Sequence, residues 1–246
     1  KRNKIRIIDN LSVGDISDIE NYKRFVNVDP YKCGSSKNKY QIVIGDIRNN
    51  KVCMSVCEGI DVVIHLAANT KITKSLKKPM YDFNVNLKGT LNLLEASNLN
   101  KVKRFVFASS AAIGGEIKPP INEKIIPKPI SPYGASKLGG EAYCSTFFQT
   151  YDLETVILRF GNVYGPGSLK KTSVVAKFIR NILANEEIFI FGDGNQTRDY
   201  IYIDDIVKAI IKAASTPNIG GEVFQIATSR ETSVIELKDL ILKKIK

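Results

Sequence analysis

Short apolar runs alternate along this chain with stretches in which apolar positions recur every three or four residues, and the two periods predict a regular succession of strands and helices. Ile5 to Asp9, Gln41 to Ile44 and Asp61 to Leu66 read as strands, and helical spacing covers Lys51 to Glu58 and Met80 to Asn98. A strand over Arg104 to Ala108 follows, then a helix over Pro132 to Tyr151, then a strand over Thr155 to Arg159. Strands that alternate with helices predict a parallel sheet covered on both faces, because parallel neighbours need a long crossover. Beyond Gly161 the pattern loosens into shorter elements with Gly-rich turns, Gly165-Pro166-Gly167 and Gly192-Asp193-Gly194. The expected fold is α/β: a doubly wound parallel sheet over residues 1–161 and a smaller mixed lobe over 162–246, parts of which return to the sheet.

Composition narrows the class. At 246 residues and 43% hydrophobic, the chain can bury a sizeable core, and it carries no apolar run of the length a membrane span or a secretory leader requires. A cytoplasmic location and no membrane partner are the expectation. Cys33, Cys53, Cys57 and Cys144 have neither metal-site nor disulfide-framework spacing, and Cys53 and Cys57 fall on one helix face, so all four read as reduced packing residues. The sole histidine, His65, closes an apolar strand with no carboxylate cluster beside it and reads as locally hydrogen-bonded. A net charge of +11 raises nucleic acid as a partner. The lysines, however, lie in scattered groups without interleaved aromatics (Lys77-Lys78, Lys101 with Lys103-Arg104, Lys170-Lys171, Lys243-Lys244) and read as solvated faces that attract a small anion.

The strongest chemical signal is the run SPYGASKLGGEAY, where Tyr133 and Lys137 stand four residues apart. That spacing places both on one helix face, unless two residues merely meet there in solvent. A lysine cation beside a phenol lowers the phenol's pKa from about 10, which would make Tyr133 a general base near neutral pH.

These residues sit in a series of blocks, IRIIDNLSVG, GDIRN, VVIHLAA, NVNLKGTLNLLEA, FVFASSAA, SPYGASK, LRFGNVYGPG, IFGDGNQTRDYIYIDD and ATSRETSV, which run from Ile5 to about Leu240. In that order they resemble the extended short-chain dehydrogenase/reductase family, in particular its nucleotide-sugar 4-epimerases of the UDP-glucose (UDP-galactose) 4-epimerase type. The resemblance implies a Rossmann-like dinucleotide-binding architecture with NAD as cofactor. Asp9 matches the strand-end acid that holds the adenosine ribose, where a carboxylate would repel a 2′-phosphate and favour NAD over NADP; an Asp that caps the next turn is the alternative at that position. Asn10, Leu11, Ser12 and Gly14 would line that pocket, Asp46 and Ile47 would contact adenine, and Leu66, Ala67 and Ala68 would pass under the cofactor. Ser110 matches the catalytic serine, with Ser109 a neighbouring alternative, and Asn86 the asparagine of the active-site helix. Gly161 would face the nicotinamide and Asn162 the substrate diphosphate. Arg198, if not salt-bridged to Asp199 or Asp204, would bind phosphate through its fork of donors. Phe189 to Gly192 would lie beside the uracil.

By this resemblance Tyr133 takes the proton from the sugar 4-hydroxyl as hydride passes from C4 to NAD, Ser110 holds that hydroxyl, and Lys137 binds the nicotinamide ribose and lowers the tyrosine pKa. Related dehydratases carry an Asp-Glu pair after the active-site hydroxyl, where this chain has Ala111 and Ala112. Gly114 departs from the aromatic residue usual in the epimerases. A same-fold dehydratase, decarboxylase or reductase, a non-catalytic nucleotide-binding protein, and a nucleic-acid binder resting on charge alone are the alternatives. The Gly-rich turn that binds pyrophosphate belongs about 20 residues before the ribose acid. With Asp9 in that role, the turn and its strand are expected upstream of Lys1, and further strands beyond Lys246; a member that never had the turn is the alternative. A homodimer through the helices at Met80 to Asn98 and Pro132 to Tyr151 is also expected.

Overall fold

The structure, a computed structural model, describes residues 3–20, 25–168 and 172–245, so Lys170 and Lys171 lie outside the described residues. The N-terminal half runs β1 (Ile5–Asp9), α1 (Ser17–Glu20), β2 (Val26–Asn27), β3 (Tyr40–Ile44), α2 (Asn50–Cys57), β4 (Val62–His65), α3 (Ile72–Lys77), α4 (Pro79–Asp82), a π-turn (Phe83–Lys88), α5 (Gly89–Leu99) and β5 (Arg104–Ser110). A 3₁₀ turn (Ala111–Ile113), α6 (Pro132–Tyr151), β6 (Glu154–Phe160), β7 (Asn162–Tyr164), α7 (Val174–Leu183), β8 (Thr197–Arg198) and β9 (Tyr200–Tyr202) follow. The chain continues through α8 (Ile203–Ser215), β10 (Val223–Ile226), β11 (Thr232–Ser233) and α9 (Val234–Ile245).

Two short pairs stand apart, β7 with β9 in parallel and β11 with β8 antiparallel, and the remaining strands, all parallel as expected, form two sheets where the pattern predicts one. One has the order β1-β3-β2 and the other β10-β6-β5-β4. Among the described residues β1 and β4 each end their sheet, and their apolar side chains are correspondingly open: Ile5 and Ile64 are both 43% exposed. The sheets are joined by a shared core, not by backbone hydrogen bonds. Val43 of β3, Val52, Cys53 and Val56 of α2, Leu93 and Leu94 of α5, and Phe105 and Phe107 of β5 make one buried cluster. On the opposite face Val106, Val156 and Leu158 pack against Ile206 and Ile210 of α8, so the second sheet is covered on both sides. Beyond residue 161 both α8 and β10 belong to this layer, and β10 pairs with β6. A third cluster, Val175, Phe178, Val234 and Leu237, forms the core of the small lobe between α7 and α9.

Local chemistry sets the start of α6. The Ser131 hydroxyl accepts from the Gly134 N–H at 3.1 Å, and Pro132 occupies the first turn, where its missing N–H costs nothing. Two glycines let α6 lie close to β5. A Cβ on Gly140 would stand 2.5 Å from the Phe107 ring, and one on Gly134 would stand 2.5 Å from the Ala112 carbonyl. Inside the layer, Arg159 of β6 pairs with Glu141 of α6 at 2.8 Å, and both are buried. Loss of either partner would leave a buried unpaired charge, which costs about 3–5 kcal/mol.

Candidate active site

The carboxyl ends of β4, β5 and β6 lie side by side, since His65 pairs with Phe107 and Ser110 with Phe160. Ligands of parallel α/β sheets bind outside such strand ends. A cleft reaches from the end of β1 to the end of β4, lined among others by Asp9, Asn10, Ser12, Asp46, Ile47, Leu66, Ala67 and Ala68. Eight of the residues expected to surround the cofactor are thus brought together. Leu11, Gly14, Tyr133, Lys137 and Gly161, also expected at the cofactor, are not among the lining residues. Leu11 adopts φ 54° and donates its N–H to Asp9 Oδ1 at 2.7 Å, and a Cβ on Gly14 would meet nothing within 4 Å. Val13, Asn69, Lys74, Tyr81 and Val85 line the cleft without having been anticipated. The Lys74 ammonium lies 4.2 Å and the Arg48 guanidinium 5.8 Å from the Tyr81 ring centre, a cation–π arrangement that no short motif announces. Asp46 is already committed: Arg48 binds its two oxygens at 2.9 and 2.6 Å, Asn10 donates at 2.9 Å, and these bonds hold the carboxyl well below the usual carboxylate range.

Tyr133 and Lys137 are both buried on the inner face of α6. The expectation that the lysine lowers the tyrosine pKa is not what the geometry gives. Lys137 Nζ turns to the Ala108 carbonyl at 2.8 Å and lies 4.9 Å from the centre of the Phe107 ring. Burial pushes the Tyr133 phenol above its ordinary value; contact with the Ser110 hydroxyl opposes this, and the Asp82 charge adds to it. Burial likewise pulls Lys137 down to about 8, against the charge of Asp82. The two serines separate clearly. Ser109 is buried and spends its hydroxyl on Glu141, whereas Ser110 is half-buried, accepts from Ala112 N–H at 3.2 Å and faces Tyr133.

Asn86, expected among the catalytic groups, is 1% exposed. Its side chain accepts from Asn69 N–H at 2.7 Å and donates towards Asn69 O, Asp82 and Ser136, so its bonds are spent inside the protein. The π-turn that carries it replaces the uniform helix expected over Met80 to Asn98. Such a turn resets which residues face inward, and 3.6-residue periodicity cannot foresee it.

His65 is hydrogen-bonded locally, as expected: its Nε2 lies 2.8 Å from Thr90 Oγ1. The threonine donates its only hydroxyl hydrogen to Asn86 O, so His65 is the donor to it. Burial and the nearby Lys137 push the imidazole from 6.5 down to about 3. Folded His65 therefore stays neutral where an unfolded histidine binds a proton, and stability falls as pH drops below about 6.5. Replacement by Gln should shrink the fall in Tm between pH 7 and pH 5, measured by calorimetry; an equal fall in both proteins would contradict this.

At the other end of the site, Asn162 N–H donates to Asp199 O at 3.1 Å, which brings Asn162 beside the residue after Arg198. Arg198 is exposed, and neither Asp199 nor Asp204 forms an ion pair with it among the described residues; its Nη1 donates to Thr197 O at 2.7 Å. Asp199 instead accepts from Thr228 at 2.9 Å. The Gly161 N–H is taken by Ile226 O at 3.1 Å. Phe189 and Phe191 are 62% and 79% exposed, and Gly192, at φ 74°, turns the chain after them. Cys33, Cys53, Cys57 and Cys144 are all free and buried. Among the described residues no cluster could hold a metal ion and no helix is long and apolar enough to cross a membrane.

Residues 16–227 match the family described as NAD dependent epimerase/dehydratase family. A UDP-glucose 4-epimerase of Mycolicibacterium smegmatis is 36% identical over 84% of this chain and 67% of its own length. The human dTDP-D-glucose 4,6-dehydratase is 30% identical over 98% of this chain and 71% of its own. Among solved structures, the UDP-N-acetylglucosamine 4-epimerase of Methanobrevibacter ruminantium M1, in complex with UDP-N-acetylmuramic acid, superposes with a TM-score of 0.86 at 31% identity, over 99% of this chain and 74% of that one. The chain spans 73%, 59% and 67% of the length of the first three curated relatives it matches.

Proposed function

The chain belongs to the NAD dependent epimerase/dehydratase family, and on that premise we propose that it interconverts the 4-epimers of a nucleotide-diphosphate sugar of the UDP-glucose/UDP-galactose type. The residues present fit the cofactor. Asp9 offers an exposed carboxylate at the end of β1, and the cleft beyond it combines apolar Ile47, Leu66 and Val85 with small Ala67 and Ala68. Asp9 would hold the adenosine ribose, Ile47 the adenine, and Lys137 the nicotinamide ribose. Bound there, NAD would supply reversible hydride transfer at C4 of the sugar.

This chain supplies the proton chemistry and the grip. As phenolate, a form that burial makes scarcer at neutral pH, Tyr133 takes the O4 proton, as phenol it gives it back, and Ser110 orients that hydroxyl. Arg198 and Asn162, adjacent at the lobe side, suit a diphosphate, and the exposed Phe189–Phe191 stretch suits a nucleobase. The observation that carries epimerisation over dehydration is the 3₁₀ turn after Ser110. Elimination needs an acid and a base there, and Ala111 and Ala112 can act as neither. The remaining carboxylates beside Tyr133 and Lys137 are Asp82 and Glu141, both buried and hydrogen-bonded inside the protein. A homodimer is part of the proposal, supported by exposed Met80, Phe83 and Tyr143 on the two helices expected to meet. So is a cytoplasmic location, with which four free thiols agree. Lysines without interleaved aromatics support the absence of a nucleic-acid partner.

The test is incubation with UDP-glucose and, separately, UDP-N-acetylglucosamine in the presence of NAD, with products read by proton NMR. The proposal expects the galacto epimer and no net NADH; a 4-keto-6-deoxy sugar would instead assign a dehydratase.

A further inference from the structure

Asp82, the last residue of α4, is fully buried and has no cation within ion-pair distance among the described residues. Its Oδ1 accepts from Asn69 Nδ2 at 2.8 Å and from Asn86 Nδ2 at 3.1 Å, and its Oδ2 meets Ser136 Oγ at 2.7 Å. Ser136 immediately precedes Lys137. That lysine is itself 3% exposed and among the described residues pairs with no carboxylate; its Nζ donates to the Ala108 carbonyl. Two opposite charges therefore lie in one buried region, each hydrogen-bonded but without an ion-pair partner among the described residues. A buried charge costs several kcal/mol unless something compensates it, and attraction across a low-dielectric interior is stronger than in water.

We infer that Asp82 is a positioning residue: its carboxylate clamps α6 to the π-turn through Ser136 and Asn86, and its charge balances the Lys137 ammonium. The other groups facing the lysine are accounted for. Glu141 is taken by a two-pronged bond to Arg159 and by Ser109. Burial raises the Cys144 thiol and lowers the His65 imidazole, so both are neutral near pH 7, and the buried Tyr133 phenol is raised as well. Asp82 is the carboxylate among them that no cation already pairs, and it is the largest influence opposing the burial that pulls Lys137 down to about 8.

Asp82→Asn separates charge from geometry. The amide can still accept from Asn69 and Asn86, and its NH₂ can donate to Ser136 Oγ, whose own hydrogen then goes to Tyr133 O at 3.0 Å. The experiment is an NMR titration of the protein carrying lysine labelled with ¹³C at Cε. The parent should show one lysine titrating near pH 8, which disappears in Lys137→Met. Asp82→Asn should move its midpoint down by about one unit, and so should Asp82→Ser, a second variant if the amide fails to fold. Ser136→Ala keeps the carboxylate and should leave the midpoint within about a few tenths of a unit. An unchanged midpoint in the folded Asp82 variant, or an equal fall in Ser136→Ala, would overturn the inference. It rests on the proposed function only in taking Lys137 as a working residue. Because no substrate is used, a shifted midpoint in a protein that turns over no nucleotide sugar would keep the charge link and refute the functional reading.

Discussion

Tyr133→Phe should bind NAD as tightly as the parent and turn over nucleotide sugar about 10³-fold more slowly. The phenol is buried on the inner face of α6, with its backbone N–H bonded to Ser75 Oγ at 3.2 Å, so the ring and the helix stay where they are when the oxygen is removed. What goes is the atom that exchanges a proton with O4. Ser110 cannot take over, because among the described residues its hydroxyl meets only the Ala112 amide, which is neither acid nor base, and Tyr133 itself. Single-turnover kinetics separate the chemical step from binding. A loss below about tenfold in kcat would place the proton acceptor elsewhere.

Lys137→Met, made together with Asp82→Asn so that no buried carboxylate is left unbalanced, should act in opposite directions on activity and on stability. An ammonium that burial pulls down to about 8 destabilises the fold at neutral pH, because the unfolded lysine holds its proton more tightly. That cost is present at pH 7 and is relieved as pH rises through about 8. Methionine fills a similar volume under the Phe107 ring without carrying a charge, so Tm at pH 7 should rise. The same change removes the donor for the nicotinamide ribose and should reduce kcat/KM about 100-fold or more. Functional sites commonly give up stability in this way. A variant that loses both activity and several degrees of Tm would show that the lysine is there for packing. Paired calorimetry and kinetics at pH 7 decide it.

The layers of this fold were legible in the apolar pattern because each strand is short, apolar and bounded by turn residues. Ile5–Asp9 and Pro132–Tyr151 have the predicted limits, the other four strands that were delimited differ by one or two residues at their ends, and the short strands β2 and β7 to β11 had no predicted bounds. The π-turn was not legible, since it depends on how Asn86 and Asp82 satisfy each other across the helix and not on hydrophobic spacing. Splitting of the strands into two sheets was equally invisible, because an apolar strand reads alike whether or not a neighbour bonds to both of its edges. At the site, spacing placed Tyr133 and Lys137 on one face correctly, but where the ammonium points depends on the Ala108 carbonyl, which is distant in sequence. Cleft residues such as Lys74 and Tyr81 were missed for a similar reason: they come from helices beyond β4, and only their packing makes them neighbours of Asp9.

The central claim is that hydrogen leaves C4 of the sugar and comes back to C4. UDP-glucose carrying deuterium at C4, incubated with the protein and NAD in ordinary water, tests it with one NMR spectrum. The label should be found at C4 of the galacto epimer, undiluted by solvent. Deuterium at C6 of a deoxy sugar would contradict the account, and so would an epimer whose C4 hydrogen comes from water.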